Sequence, residues 1–284
     1  MGEALHHHDD CGWQAQLSLG FERRGGRSAL TLARHFGPLR VQRPFHPEGG
    51  EVPHLYLLHP PGGIAPGDEL EIDLDLGAGS RALLTTPAAT KVYGVGARRL
   101  AQRQTLTARV AAGAVLEWLP QETIVFDGAR VTLDSRFELT GDAGLIAWEL
   151  VTLGRRAGEA PFRSGSCLQR LEVWRDGVPL LLERLPLTGD SPLLSAPWGL
   201  GGAGTFGTLL AVGRLDGAAL TALRELGAAV GDRCWAVTAL PELVVLRYRG
   251  DDPRRALAAF SAAWTILRPL LHGRPAVVPR IWAT

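Results

Sequence analysis

Five charged residues lie inside otherwise apolar motifs, and their side chains are the ones that could do chemistry. They are Asp68, Lys91, Glu122, Glu149 and Glu183. A buried charge needs a partner, so each of them could simply face water from a strand, which side-chain alternation permits. Together, the four carboxylates offer oxygen ligands of the kind that a divalent ion prefers. Carboxylate and water oxygens hold such an ion loosely enough for it to move on, whereas a closed cage of histidine and cysteine would trap it.

Glu122 and Asp127 offer a second chemistry, because a pair of carboxylates is the acid–base machinery of glycoside hydrolases. Elongated β-structures often bind sugars, which makes a β-structured carbohydrate-active hydrolase a second hypothesis. No tryptophan pattern in the sequence distinguishes a sugar cleft from an ordinary core. A hydrolase that uses Glu122 and Asp127 is therefore the alternative to a non-enzymatic protein.

A cluster of metal-binding residue types lies near the N-terminus, where His6, His7 and His8 precede two aspartates and Cys11. Adjacent histidines in a flexible arm can chelate a metal weakly. Adjacent side chains rarely converge as a closed site requires, and terminal segments are often poorly ordered. We expect residues 1–12 to form a disordered tail rather than a metal site.

Two further patterns have the letters of a functional motif without its context. Residues 202–207 read GxGxxG, but no strand-to-helix turn and no following acidic residue support a nucleotide site. The sequence has no Walker loop either, so the chain is not expected to hydrolyse GTP. Ser191, His272 and Asp190 can be assembled into a triad only on paper, because no nucleophile elbow is present.

The composition favours a soluble cytoplasmic protein. The chain has 284 residues, 46% of them hydrophobic, and a formal net charge of +1, which argues for neither nucleic acid nor an anionic membrane as a partner. Three cysteines without a CxxC pair predict neither a disulfide framework nor a thiolate zinc site, as in a reducing compartment. No signal segment is evident, and no apolar run approaches the roughly 18 residues that a membrane span needs.

The elements that must position these residues are mostly strands. Residues 69–76 alternate acidic and apolar side chains without a break, which predicts a strand with one wet face. Asp176-Gly177 between two apolar runs predicts a hairpin. Repeated short strands punctuated by glycine, without helices between them, favour a layered or coiled architecture of largely antiparallel strands. The fold class predicted is therefore mainly β.

Two helices are predicted near the C-terminus, over residues 218–230 and 253–271, from the helical spacing of their apolar side chains. Asp251 or Asp252 is a suitable N-cap for the second, and Gly273 lies just past its end. Pro269 is expected to kink the last turn or to end the helix early. No composition shift separates independent domains, so residues 13–284 are predicted to form a single domain.

Several motifs occur together in the order typical of one protein family. In chain order they are Gly37-Pro38-Leu39, residues 41–45, residues 54–93 with the His59-Pro60-Pro61-Gly62-Gly63 turn, residues 118–122, residues 126–129, Trp148-Glu149 and residues 279–284. With these motifs the chain resembles, from end to end, the UreD family of urease accessory proteins. Several co-linear motifs are far more specific than any one of them.

The resemblance implies a β-helix-like stack with a small helical part, and a scaffold or chaperone that is not an enzyme. Members of the family dock apo-urease on one side and the helical accessory protein UreF on the other. UreF in turn recruits UreG, the GTPase that carries nickel. Nickel would then be in transit through the complex rather than a tightly bound cofactor. From the residues themselves we infer that this passage is lined by Asp68, Glu122, Glu149 and Glu183, with Lys91 as a further polar motif residue.

Overall fold

The computed structural model describes residues 12–94, 100–154, 160–230 and 235–283. The predicted tail over residues 1–12, including the histidine cluster, lies outside the described residues except for Gly12. Among the described residues, no helix is both long and apolar enough to cross a membrane.

Nearly half of the described chain is strand, and two α-helices lie in its last third. The strands are β1 (Gln14–Arg24), β2 (Arg27–Phe36), β3 (Arg40–Val41), β4 (His54–Leu58), β5 (Glu69–Leu76), β6 (Arg81–Thr85), β7 (Thr90–Val92), β8 (Gln102–Val110), β9 (Val115–Trp118), β10 (Thr123–Val125), β11 (Arg130–Leu139), β12 (Gly144–Leu153), β13 (Ser166–Arg175), β14 (Val178–Thr188), β15 (Thr205–Val212), β16 (Trp235–Ala239) and β17 (Leu243–Gly250). The helices are α1 (Gly217–Val230) and α2 (Pro253–His272). The predicted mainly β class with two helices is confirmed.

The strands form two large sheets. Sheet 1 has the order β14-β13-β11-β8-β5-β1-β2, and sheet 2 has the order β16-β17-β15-β12-β9-β6-β4-β3. From β5 to β13 the chain passes repeatedly from sheet 1 to sheet 2 and back. The short strands β7 and β10 form a parallel pair that joins sheet 2 through the pairing of β10 with β12. The expected β-helix-like stack is therefore present.

The two sheets are mixed. Antiparallel pairing, which the sequence predicts for most strands, is found at the ends of the stack, as in β1–β2, β13–β14 and β15–β17. The central pairs β1–β5, β5–β8, β8–β11 and β11–β13 are parallel, and so are β6–β9 and β9–β12. A chain that coils between two sheets enters each sheet in the same direction on every turn, so adjacent strands are parallel. Its sequence nevertheless shows the same short strands and glycine turns as a series of antiparallel hairpins.

The main core fills the space between the two sheets. The alternation over β5 is confirmed, since Leu70, Ile72, Leu74 and Leu76 are buried in this core while their acidic neighbours face outward. The opposite face of sheet 2 is also apolar, and α1 and α2 cover it with a second core that includes Trp148, Phe260 and Trp264. The centre of sheet 2 is therefore buried on both faces, whereas β5 leaves sheet 1 with a wet outer face.

Local signals are realised closely. The Asp176-Gly177 hairpin joins β13 and β14, with φ values of 50° and 77°, as a tight hairpin turn with two left-handed residues requires. Asp252 caps α2 by accepting a hydrogen bond from the Arg254 amide at 2.9 Å, and Gly273 ends it in the left-handed conformation. Pro269 does not end the helix, which continues to His272.

A buried ionic cluster, here called the α2 clamp, fastens α2 to the stack. Arg268 donates to Glu117 of β9 at 2.7 Å and to Glu48 at 2.7 Å. His272 contacts Glu117 at 3.0 Å, and His54 contacts Glu48 at 2.7 Å. The Arg268 and Glu48 side chains are only 1% and 3% exposed, so these charges depend on one another rather than on water.

Candidate functional site

A cavity of about 160 Å³ lies between the two sheets. Its apolar wall comes from the main core and includes Leu70, Ile72 and Leu133. Its polar lining includes His59, Lys91, Gln104, Asp134, Ser135 and Glu149. The lining also includes the exposed residues Gly62 and Ala88, so the cavity opens to solvent beside the proline-rich turn. We call this space the interior cavity.

Glu149 of β12 projects into the interior cavity. It lies on the same strand face as Ala147 and Val151, both of which belong to the core between the sheets. Its two carboxylate oxygens accept hydrogen bonds from the Ser135 hydroxyl and, at 3.0 Å, from the Gln169 side-chain amide. Burial raises the pKa of Glu149 despite these donors. The nearby carboxylates of Asp134 and Glu183 raise that pKa further.

Glu183 of β14 also faces inward. It pairs in register with Leu171 of β13, a buried core residue, and therefore lies on the same face of sheet 1. Across the gap it forms an ion pair with Arg247 of sheet 2, at 3.2 Å between Arg247 Nη2 and Glu183 Oε2. Arg247 in turn shares a row of sheet 2 with Thr208 and Glu149.

The structure thus brings three of the five predicted residues to one polar interior. Lys91 and Glu149 line the interior cavity, and Glu183 is close enough to influence the pKa of Glu149. Glu183 and Arg247 are both partly exposed, at 30% and 44%. A line of polar groups therefore leads from the cavity to the edge of the stack, where β14 and β17 face each other. We call Glu149, Thr208, Glu183 and Arg247 the polar track.

Asp68 is buried, lies outside the polar track and has a structural role. Its Oδ1 accepts a hydrogen bond from the Trp13 amide at 2.8 Å, and its Oδ2 accepts one from the Ala65 amide at 2.8 Å. Both oxygens are therefore engaged by backbone groups. This carboxylate fastens the start of β1 to the turn that precedes β5.

Replacing Asp68 by asparagine is expected to destabilise the fold by about 1–3 kcal/mol, because an amide can accept from only one of the two backbone N–H groups. Asp75→Asn is the control, because the Asp75 side chain is 53% exposed. This substitution should cost no more than about 0.5 kcal/mol. Urea unfolding of both purified variants measures the difference. Unchanged stability of the Asp68 variant would contradict the fastening role.

Glu122 and Asp127 do not form an evident catalytic pair. Glu122 is half-buried and has no side-chain hydrogen bond or ion pair within the part of the chain that the structure describes. Asp127 is exposed, and its Oδ1 accepts hydrogen bonds from the amides of Arg163 and Ser164 at 2.8 and 2.7 Å. Slight burial alone would raise the pKa of Asp127, but these donors lower it. A proton-donating glycosidase carboxyl needs a raised pKa, so Asp127 is better described as a loop fastener.

His59 is a site residue that the sequence reasoning did not select. It lines the interior cavity, and neither of its buried ring nitrogens has a hydrogen-bond partner among the described residues. Burial lowers the pKa of His59, while the nearby Asp68 carboxylate opposes that effect. The only sequence feature that singles out His59 is its position directly before Pro60-Pro61, and that proline pair by itself predicts just a turn.

No closed metal site is found in the described ranges, since no group of three or more histidine, cysteine, aspartate or glutamate side chains there could hold a metal ion. Cys167 is buried, and burial raises its pKa to about 12, with the Glu149 carboxylate adding to the effect. A thiol with so high a pKa stays protonated at neutral pH and is a poor metal ligand. The described donors are therefore spread along the interior rather than gathered into a cage.

Comparison with known proteins gives a consistent result over almost the whole chain. A family model described as UreD urease accessory protein matches residues 14–283. A protein of Chromohalobacter salexigens named urease accessory protein UreD is 49% identical over 281 residues, which cover 96% of this chain and 89% of that protein. Proteins of the same name from Azoarcus sp. and Saccharophagus degradans are 47% and 43% identical, each over 96% of this chain and over 95% and 93% of their own lengths.

Proposed function

This chain belongs to the UreD family of urease accessory proteins, and from that premise we propose that it is a non-enzymatic scaffold that helps deliver nickel to apo-urease. A part in urease maturation follows from the family. The proposed partners are apo-urease and UreF, with UreG reached through UreF. Because the sequence has no Walker loop, the GTP-dependent step is assigned to the partner.

One observation carries the nickel proposal, namely the polar interior of a stack that is otherwise packed with apolar side chains. The interior cavity places the Glu149 carboxyl where an ordinary core would have only hydrocarbon, and the polar track leads from it to the partly exposed Glu183–Arg247 ion pair. Burying a carboxyl costs free energy unless hydrogen bonds or a ligand offset its loss of water. This continuous set of polar groups supports a path for a small hydrated cation.

The chemistry of these groups suits a cargo that must leave again. Carboxylate oxygens and water hold a divalent ion with open coordination, whereas a cage of several nitrogen and sulfur donors would keep it. The two oxygens of Glu149 already accept hydrogen bonds from Ser135 and Gln169, so a cation that reaches this carboxyl competes with those donors. Such competition weakens the hold of Glu149 on nickel and favours transfer.

The scaffold proposal predicts that this chain restores active urease in cells that have the urease and other accessory proteins but lack their own UreD-family member. The expected result is recovery of urease activity together with nickel content of the purified enzyme. A pull-down from the same cells should recover UreF and urease with this chain. Cells without the chain are the control, and failure to bind UreF or to restore nickel content would contradict the proposal.

The carbohydrate-active alternative has no observation in its favour. The engagement and lowered pKa of Asp127 argue against the catalytic pairing with Glu122. Hydrolysis of soluble polysaccharides that disappears in a Glu122→Gln variant would revive it.

A further inference from the structure

His59 is held in place by a proline-rich turn. The Gly62 amide donates to the His59 carbonyl at 2.9 Å and closes the turn. Pro60 and Pro61 fix their own backbone angles, and Gly62 adopts a left-handed φ of 78°. The histidine therefore enters the cavity wall from a backbone that has little freedom to move, as a preorganised donor requires.

The imidazole of His59 lacks what a structural histidine normally has. Buried polar atoms are almost always hydrogen-bonded to protein or water, yet both ring nitrogens are buried without a partner in the described chain. The His59 residue lines the interior cavity, which is large enough to hold water. His54 and His272, in contrast, each use one ring nitrogen to contact a glutamate of the α2 clamp.

The location of His59 gives it a place in the order of events. It lies next to Gly62, where the cavity opens to solvent, whereas Glu149 lies deeper, between Ser135 and Gln169. A neutral imidazole is a good ligand for nickel, and it binds the ion more firmly than water does. The lowered pKa of His59 keeps its lone pair available at neutral pH.

We propose that His59 is the nitrogen donor that captures nickel at the opening of the interior cavity, before the ion passes to the oxygen donors of the polar track. This inference rests on the proposed function and assigns one ligand within it. A single nitrogen donor followed by a carboxyl gives a gradient from firmer to looser binding. The interior cavity therefore admits nickel without storing it.

The test compares His59→Gln and His59→Asn with the parent chain in cells that depend on it for urease activation, at limiting and at excess nickel. Both amides keep a polar side chain but remove the imidazole donor. We expect nickel content and activity of urease to fall on the order of tenfold at limiting nickel and to recover at excess nickel. Pull-down of UreF and urease should be unchanged. His35→Gln, at an exposed position of β2, is the matched control.

Each other outcome overturns the assignment in a recognisable way. Full activity of both variants at limiting nickel would remove His59 from the route. Loss at every nickel concentration, or loss of the complex with UreF, would make His59 a structural residue. If the parent chain itself fails to activate urease, the proposed function fails first, and that result is separate from any effect of the variants.

Discussion

Replacing Arg268 by methionine is expected to destabilise the protein by about 3–5 kcal/mol, because it leaves the buried Glu48 and Glu117 carboxylates without their common cation. Methionine keeps much of the side-chain volume, so the loss of stability reflects the missing charge rather than a new cavity. The effect is measured by urea unfolding followed by tryptophan fluorescence, which is informative because Trp264 packs against Arg268 at 5.4 Å from the guanidinium carbon to the ring centroid.

Arg255→Met is the matched control on the same helix. Its ion pair with Asp252 is exposed, with side chains 63% and 47% accessible, so its loss should cost no more than about 1 kcal/mol. Equal effects of the two substitutions would mean that the α2 clamp contributes no more than a surface pair.

The loss of stability at acid pH is a second test of the α2 clamp. Burial alone would raise the pKa of Glu48, but hydrogen bonds from His54 and Arg268 lower it from 4.5 to about 2. A carboxyl whose folded pKa lies below its unfolded pKa contributes stability above pH 4.5, and this contribution disappears as the pH falls from 4.5 to about 2. The Arg268→Met variant should lose part of this acid dependence, whereas Arg255→Met should retain it.

The sequence predicts best those features whose causes are local. The α2 cap at Asp252, the glycine stop at Gly273 and the Asp176-Gly177 hairpin each depend on a few neighbouring residues, and all are realised. Strand pairing depends on distant parts of the chain. Short strands divided by turns are compatible with hairpins and with coils alike, so the parallel centre of the stack was not predictable from spacing.

The candidate site was only partly predictable for a related reason. Alternation assigns an outward face when a strand is wet on one side, as in β5, but β12 is buried on both sides. Nothing in its pattern indicates that Glu149 enters the interior. Asp68 was selected for its apolar surroundings, although its oxygens serve two backbone amides. The α2 clamp joins Glu48 to Arg268 across 220 positions, a pairing that no local pattern reveals.

Replacing Glu149 by glutamine is expected to lower urease activation on the order of tenfold while leaving the fold nearly as stable as before. Burial and neighbouring carboxylates raise the pKa of Glu149 because they disfavour its charged form, so a neutral amide of the same shape should cost the fold little. Glutamine can still accept from the Ser135 hydroxyl. What it removes is the anionic oxygen that a passing cation would use. Nickel content and activity of urease from cells that express the variant measure the effect.

Glu138→Gln is the control, since this carboxylate lies on the outer face of sheet 1, with 38% exposure and a surface ion pair to Arg136. It should change neither activation nor assembly. Glu183→Gln should lie between the two, because Arg247 stays partly solvated when its partner is lost. Normal activation by the Glu149 variant would remove this residue from the nickel route. Impaired binding of UreF or urease by that variant would instead indicate that the interior carboxyl supports an interface, because a conducting residue can be lost without loss of the complex.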